Sequence, residues 1–406
     1  MKGVVPQREA ATSAEADRMP NTDLAGKSRK LVKGNEALAR GALAGGLQCF
    51  FGYPITPQNE VPEKLAELMP PLGRVFLQAE SEIASINMVY GAAAAGHRAM
   101  TSSSSPGISL MMEGLSYIAG ARLPCLIVNV MRGGPGLGNI APSQGDYFQA
   151  CKGGGHGDYH SIVLAPWSVQ EMYDFPALAF ELAECYRCPS IILADAVLGS
   201  MLEPAWMDDT IPPLVHSSEP WTASGRGGRS HKNVVHSLFL NAEDLAAHNE
   251  LLQKAYREMR REVRFDARLT EDADYLFVGF GIAARLAWSA TTQLRREELR
   301  VGLFRPITLF PFPEKQLSKL AENLKGILVC ELNSGQMVQD VRLAVDGRCP
   351  VEFYGKMGGV LPPPEELADA MRAMAARHSA PMPSEQRAGS LLECGDGIWL
   401  KPLNYL

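Results

Sequence analysis

Three residues have the types and settings to do chemistry. Arg132 follows the apolar run Leu123-Pro-Cys-Leu-Ile-Val-Asn-Val-Met131 and precedes the glycine-rich stretch Gly133-Gly-Pro-Gly-Leu-Gly-Asn139. In open α/β sheets, ligands bind outside the carboxyl ends of the strands. A guanidinium offers a planar fork that matches a carboxylate or phosphate. Arg132 is therefore either an anion-binding residue at the mouth of a sheet or an arginine paired with a local acid on a surface loop. Glu80 and Glu82 stand at the start of a helical segment running to Ala95. The helix macrodipole favours acids there, which is a sufficient structural account of both. Glu82 also aligns with Ile86 and Val89 on the apolar face, where a carboxylate is suited to sharing a proton. Thr56 lies between Pro54 and Pro57 after a short apolar strand. Its hydroxyl is held on a stiff backbone, and the alternative is a turn residue bonding its own main chain.

The elements that must position these residues alternate between strand and helix. Apolar strands are expected at Leu47–Gly52, Arg74–Gln78, Ala99–Ser103, 123–132, Ser161–Leu164 and Ser190–Asp195. Helices are expected at Gly34–Ala44 (with Asn35 as cap), up to Leu68, Glu80–Ala95, Ile108–Ala119 and Ser168–Tyr186. Such alternation predicts an α/β fold with a parallel sheet covered on both faces. A charged helix, Asn241–Val263, then leads to a second set of strands at Tyr275–Gly279, Arg300–Phe304, Gly326–Glu331 and Val351–Tyr354. The predicted organisation is an arm over 1–30, an α/β domain over 31–204, an extended linker with a connecting helix over 205–265, a smaller α/β domain over 266–376 and a tail over 377–406.

Composition narrows the function. The 406 residues are 46% hydrophobic and 21% charged, with net charge −6 and no dense basic block. That argues against nucleic acid as a partner. No apolar run approaches a membrane span, and the polar first 30 residues lack a signal-peptide core, so a cytoplasmic protein is expected. Of eight cysteines, only Cys185 and Cys188 have metal-like spacing. A zinc or iron–sulfur site usually needs a second such pair, so no metal site is expected on this chain. Gly279-Phe-Gly-Ile-Ala-Ala284 satisfies the weak dinucleotide pattern, but no acid stands at the end of the next strand to hold a ribose. Tight strand-to-helix packing is the better account. Cys394-Gly-Asp-Gly397 resembles the start of a diphosphate–magnesium motif, yet the chain ends at Leu406, before the asparagine that motif requires.

Six segments occur in a telling order: Phe51-Gly-Tyr-Pro-Ile-Thr-Pro-Gln58, Gln78-Ala-Glu-Ser-Glu-Ile-Ala84, Met100-Thr-Ser-Ser-Ser-Ser-Pro-Gly107, Asn129-Val-Met-Arg-Gly-Gly-Pro135, Arg305-Pro-Ile-Thr-Leu-Phe-Pro311 and Tyr354-Gly-Lys-Met-Gly-Gly359. Over roughly residues 31–365 the chain resembles the α-type subunit of the 2-oxoacid:ferredoxin oxidoreductases, most closely the 2-oxoisovalerate (branched-chain) type and next the 2-oxoglutarate type. The resemblance implies a transketolase-like fold, with a thiamine-diphosphate pyrimidine-binding domain and a transketolase C-terminal-type domain. It implies oxidative decarboxylation of a 2-oxoacid to acyl-CoA and CO2, with coenzyme A as co-substrate and electrons passing to ferredoxin. It also implies a β subunit carrying the diphosphate–magnesium site, γ and ferredoxin-like δ subunits, and iron–sulfur clusters on those other subunits. On this match Glu82 contacts the aminopyrimidine N1′, Pro54 and Ile55 also border the cofactor, and Thr56 and Arg132 hold the substrate. Ser103, Ser104, Gly133 and Gly134 would line the pocket. No dedicated second cation stands on the motifs, which favours a branched or aromatic acid over 2-oxoglutarate. 2-Oxoglutarate, an aryl glyoxylate, oxalate, or a non-catalytic assembly role remain the alternatives.

Overall fold

The computed structural model describes residues 27–208, 210–214 and 219–378. The arm before Lys27, the tail after His378 and the Cys394–Gly397 motif lie outside the described residues.

The larger sheet has seven strands in the spatial order Thr308–Phe310, Ile162–Leu164, Pro189–Asp195, Cys125–Met131, Ala99–Ser103, Cys49–Gly52 and Val75–Gln78. All pair in parallel except the edge strand Thr308–Phe310. Every residue of Cys125–Met131 and Pro189–Asp195 is buried, as expected where helices cover both faces of a parallel sheet. From Cys49–Gly52 the chain steps outward to Val75–Gln78, then returns past it to Ala99–Ser103. That reversal of strand order opens a crevice at the carboxyl ends, where α/β sheets bind ligands.

The second sheet runs Val351–Gly355, Gly326–Glu331, Tyr275–Val278, Val301–Pro306 and an antiparallel edge Phe265–Arg268. One apolar core reaches from Phe50 and Leu126 in the first sheet to Leu276 and Val329 in the second. The seam between the sheets carries many polar contacts, two of which bear on function. Arg305, 2% exposed, forks onto both carboxylate oxygens of Glu171 at 2.8 and 2.7 Å and stacks 4.3 Å from the Trp167 ring centroid. Asp195, fully buried, accepts the N–H groups of Val197 and Leu198 at 3.0 Å and of Ile282 at 3.2 Å. Burial pushes its carboxyl up to about 6 despite those bonds. The Ile282 contact settles the Gly279–Ala284 pattern. The helix Gly281–Arg296 presents its N-terminus to Asp195, so this chain's own carboxylate occupies the place a phosphate would need.

Several elements differ from the sequence expectation. Lys27–Lys33 and Leu202–Asp208 form an antiparallel ribbon, joining residues assigned by sequence to the arm and the linker with residues of the domain between them. The helix Gly34–Ala44 starts one residue before Asn35, whose side chain caps nothing. Asn35 instead donates at 2.8 Å to the Pro57 carbonyl and the Glu60 carboxylate, fastening this helix to the Thr56 turn. The helix after the Ser102–Gly107 stretch begins earlier than expected, at Ser105. Asn241 caps Ala242–Met259, accepting from Glu243 and Asp244 N–H at 2.9 and 3.1 Å. The excursion after the ribbon crosses the amino ends of the larger sheet. There Arg74 donates to the Pro212 carbonyl, and Trp221 lies under the Arg187 guanidinium. Among the described residues no helix is long and apolar enough to cross a membrane.

Candidate active site at the carboxyl ends of the larger sheet

Four adjacent strands deliver the candidate residues to one crevice. Thr56 follows Cys49–Gly52, Glu82 follows Val75–Gln78, Ser103 and Ser104 end Ala99–Ser103, and Arg132 follows Cys125–Met131. A separate cavity of about 630 Å³ lies at the opposite, amino ends, lined by Gln48, Arg98, Arg187 and Trp221 among others. None of the candidate residues borders it. The crevice is the better site despite being open, because strand geometry converges backbone and side chains there.

Glu82 opens the helix Glu82–Ala94, which Ser81 caps by accepting the Ala84 N–H at 3.2 Å. Glu82, Ile86 and Val89 are all buried on one face. Glu80 stands outside the helix and is exposed. Glu82 is 6% exposed, yet its carboxylate accepts no hydrogen bond among the described residues. The Ser103 and Ser104 hydroxyls are likewise buried without partners. Burying polar groups unpaired is costly, so this cluster is suited to a polar ligand that satisfies it. Gly107 preserves the space. A Cβ there would stand 2.0 Å from Ser103 Oγ and 2.5 Å from Glu82 Oε1. If this cluster holds thiamine diphosphate, as the resemblance implies, Gly107→Ala is expected to displace Glu82 and lower cofactor retention by the assembled complex while the subunit still folds. Overpacking of this kind costs about 1–3 kcal/mol. Unchanged cofactor retention would show that the carboxylate has room to move.

Arg132 is buried, and its fork is held by two backbone carbonyls, Thr56 O at 3.0 Å and Leu137 O at 3.2 Å. Among the described residues no carboxylate pairs with it, so the alternative of a local ion pair falls away. Its Nε is buried and unbonded. The glycine loop is folded back on itself so that Leu137 O faces the guanidinium. Asn139 N–H reaches Gly133 O at 3.0 Å, and Gly133 N–H reaches Ala141 O at 2.9 Å. A Cβ at Gly138 would lie 1.7 Å from Gly133 O, and its φ of +57° is left-handed. Gly134 precedes Pro135 across a cis peptide. From the second sheet, Gly358 O accepts from Asn139 Nδ2 at 2.9 Å, seating the Gly358-Gly359 turn on this loop. Thr56 is exposed at the mouth beside Pro54 and the half-buried Ile55, and its hydroxyl lies 3.4 Å from Asn59 Nδ2.

Sequence reasoning missed a second tier below Arg132. Ser105 Oγ accepts the Arg132 N–H at 3.1 Å and lies 2.5 Å from Asp146 Oδ2. Asn129 Nδ2 donates to the same Asp146 oxygen at 2.8 Å. Ser102 Oγ donates to Gln58 Oε1 at 2.6 Å, tying the serine strand to the Thr56 turn. The polar Asn129 inside an apolar strand was the one visible signal.

Residues 40–264 match the family described as pyruvate flavodoxin/ferredoxin oxidoreductase, thiamine diphosphate-binding, and residues 273–367 match pyruvate:ferredoxin oxidoreductase core domain II. The chain belongs to the pyruvate flavodoxin/ferredoxin oxidoreductase family. It is 48% identical over 352 residues to a ketoisovalerate oxidoreductase subunit VorB of Methanothermobacter thermautotrophicus, covering 86% of this chain and 99% of that one. It is 36% identical to a 2-oxoglutarate synthase subunit KorA of Methanocaldococcus jannaschii, covering 84% and 99%. Among solved structures, a 2-oxoglutarate:ferredoxin oxidoreductase from Magnetococcus marinus, with 2-oxoglutarate, coenzyme A and succinyl-CoA bound, superimposes with TM-score 0.73 at 28% identity. The match covers 85% of this chain and 65% of that one. A split-gene transketolase, 13% identical at TM-score 0.53, shares the fold. This oxidoreductase subunit thus has the transketolase-like α/β architecture that its motif order implied, with a thiamine-diphosphate-binding domain over the larger sheet.

Proposed function

We propose that the chain is the catalytic α-type subunit of a cytoplasmic, multi-subunit oxidoreductase that converts a branched-chain 2-oxoacid and coenzyme A to acyl-CoA and CO2, passing electrons to ferredoxin. The observation that carries this reading is the convergence of Glu82, Thr56 and Arg132 on one crevice, with the Glu82 carboxylate buried and unpaired. Glu82 would hold a proton at the aminopyrimidine N1′ of thiamine diphosphate, with Pro54 and Ile55 along the cofactor edge. Bound there, thiamine diphosphate supplies the electron sink that lets CO2 leave a 2-oxoacid. Arg132 would grip the substrate carboxylate with the N–H groups not spent on Thr56 O and Leu137 O. Thr56 would bond near the substrate carbonyl, while Ser103, Ser104, Gly133 and Gly134 wall the pocket. The diphosphate–magnesium end would sit on a β subunit, and the iron–sulfur clusters on γ and ferredoxin-like δ subunits.

Two observations favour a branched acid. Identity is higher to the ketoisovalerate subunit than to the 2-oxoglutarate subunit, 48% against 36%. Leu137 and Ile140 on the glycine loop are also exposed apolar side chains, which this reading would bring against a branched acyl group. The test is anaerobic purification of the native complex, followed by viologen or ferredoxin reduction with coenzyme A and a panel of acids. The panel holds 2-oxoisovalerate, 2-oxoglutarate, an aryl glyoxylate and oxalate. Highest kcat/KM with 2-oxoisovalerate, and none from this chain alone, is expected. A preference for another acid would overturn the substrate, and no turnover from a cofactor-loaded complex would favour an assembly role.

A further inference from the structure

The second tier below Arg132 contains a carboxylate without an evident structural purpose. Asp146 stands at the N-terminal cap position of the short helix Tyr147–Cys151, but its side chain caps nothing. Among the described residues no Lys, Arg or His pairs with it. Burial, the dominant influence, pushes its carboxyl above the usual carboxylate range, against the bonds from Ser105 and Asn129. A half-buried acid with no cation is a cost to folding, and such sites are where function is expected.

Its two contacts show what it can do. The hydroxyl of Ser105 has one proton and lies near three groups: Asp146 Oδ2 at 2.5 Å, the Arg132 carbonyl at 3.3 Å and the Arg132 N–H at 3.1 Å. The short, charge-assisted bond to Asp146 claims the proton. The lone pairs of Ser105 Oγ then face the Arg132 N–H as an acceptor. Asn129, from within the strand, pins the same carboxylate oxygen at 2.8 Å and so fixes the relay to the sheet. Arg132 needs such a hold. The parallel ladder ends at Met131, paired with Asp195. Beyond it Arg132 faces Pro142 in an isolated antiparallel bridge held by the Gly133 N–H to the Ala141 carbonyl at 2.9 Å, and the Arg132 N–H itself goes to Ser105 Oγ.

We propose that Asp146, acting through Ser105, is a positioning residue that fixes the main chain of Arg132 and thereby sets the affinity for the 2-oxoacid carboxylate. The inference rests on Arg132 being the carboxylate-binding residue. It involves no covalent step.

The test is steady-state kinetics of the assembled complex with 2-oxoisovalerate and coenzyme A varied separately. Ser105→Ala and Asp146→Ala are each expected to raise KM for the 2-oxoacid about tenfold, the worth of one hydrogen bond. KM for coenzyme A should stay unchanged and kcat should change much less than KM. The double variant should be no worse than the worse single, because both act through one contact. Ser105→Thr, which keeps the hydroxyl, should recover most of the lost affinity. Additive losses, or equal rises in both KM values with a lower thermal midpoint, would mark a merely structural role and overturn the proposal. Arg132→Ala separates the two layers. If it leaves the 2-oxoacid KM unchanged, the underlying assignment of Arg132 fails. If it raises KM while Ser105→Ala and Asp146→Ala do not, only the positioning role fails.

Discussion

Glu82→Gln is expected to leave the complex assembled and loaded with thiamine diphosphate while lowering kcat about 10²–10⁴-fold, the usual worth of a positioned proton-transfer group. The substitution keeps the shape of a side chain that is 6% exposed and packed against Gly107. An amide in that place also has a partner at hand, since the buried Ser103 hydroxyl is unbonded. What the amide lacks is a proton it can hold and release at N1′. The prediction therefore separates space-filling from acid–base work, which Ala would not. The measurement is kcat beside bound thiamine diphosphate per complex after gel filtration. A kcat within about threefold of the parent would move the proton-holding role to another residue.

The legible parts of this fold are those written in local pattern. The all-buried run Cys125–Met131, the charged helix beginning at Asn241 and the turn between Pro54 and Pro57 each announce themselves over a few residues. Because ligands gather at carboxyl ends near a switch in strand order, naming the strand ends also named the crevice. The illegible parts depend on partners far along the chain. Lys27–Lys33 reads as a polar segment, and becomes a strand only because Leu202–Asp208 lies beside it. Burial alternates there, with Val32, Ala205 and Met207 inside, but Leu31, Leu202 and Trp206 face outward, so the sequence shows no apolar–polar alternation to mark it. Thr308–Phe310 is too short for a pattern, yet it leaves the second sheet's neighbourhood to close the edge of the first. In the site, Asn129 interrupts an apolar strand and was visible, whereas Asp146 looked like any acid in a glycine-rich loop. It gains meaning only once that loop folds back to Ser105 and Asn129. The Gly279–Ala284 pattern shows the converse. A motif suggesting a ligand is satisfied internally by Asp195, 87 residues earlier in sequence.

Arg132→Ala is expected to raise KM for the 2-oxoacid strongly and to lower kcat as well. Loss of a charge-assisted pair alone is worth about 1.5–3 kcal/mol, or roughly 10–150-fold. This arginine does more than carry charge. Its fork bridges Thr56 O and Leu137 O, so it braces the proline turn against the glycine loop. Truncation releases both walls of the crevice, and a substrate bound loosely loses orientation as well as affinity. Arg132→Lys isolates the two contributions. An ammonium restores the charge, but as a point donor it lacks the planar fork that spans two carbonyls and still meets a carboxylate. The lysine variant should therefore regain part of the KM and little of the kcat. Equal recovery of both would mean that charge alone matters and that the bridging of turn and loop is incidental. Varying the acid sharpens the test. If Arg132 meets the carboxylate common to all 2-oxoacids, the loss should be the same for every acyl group the complex accepts. A loss confined to one acid would place Arg132 at the acyl end instead, and would leave the carboxylate to another residue of the crevice or of a partner subunit.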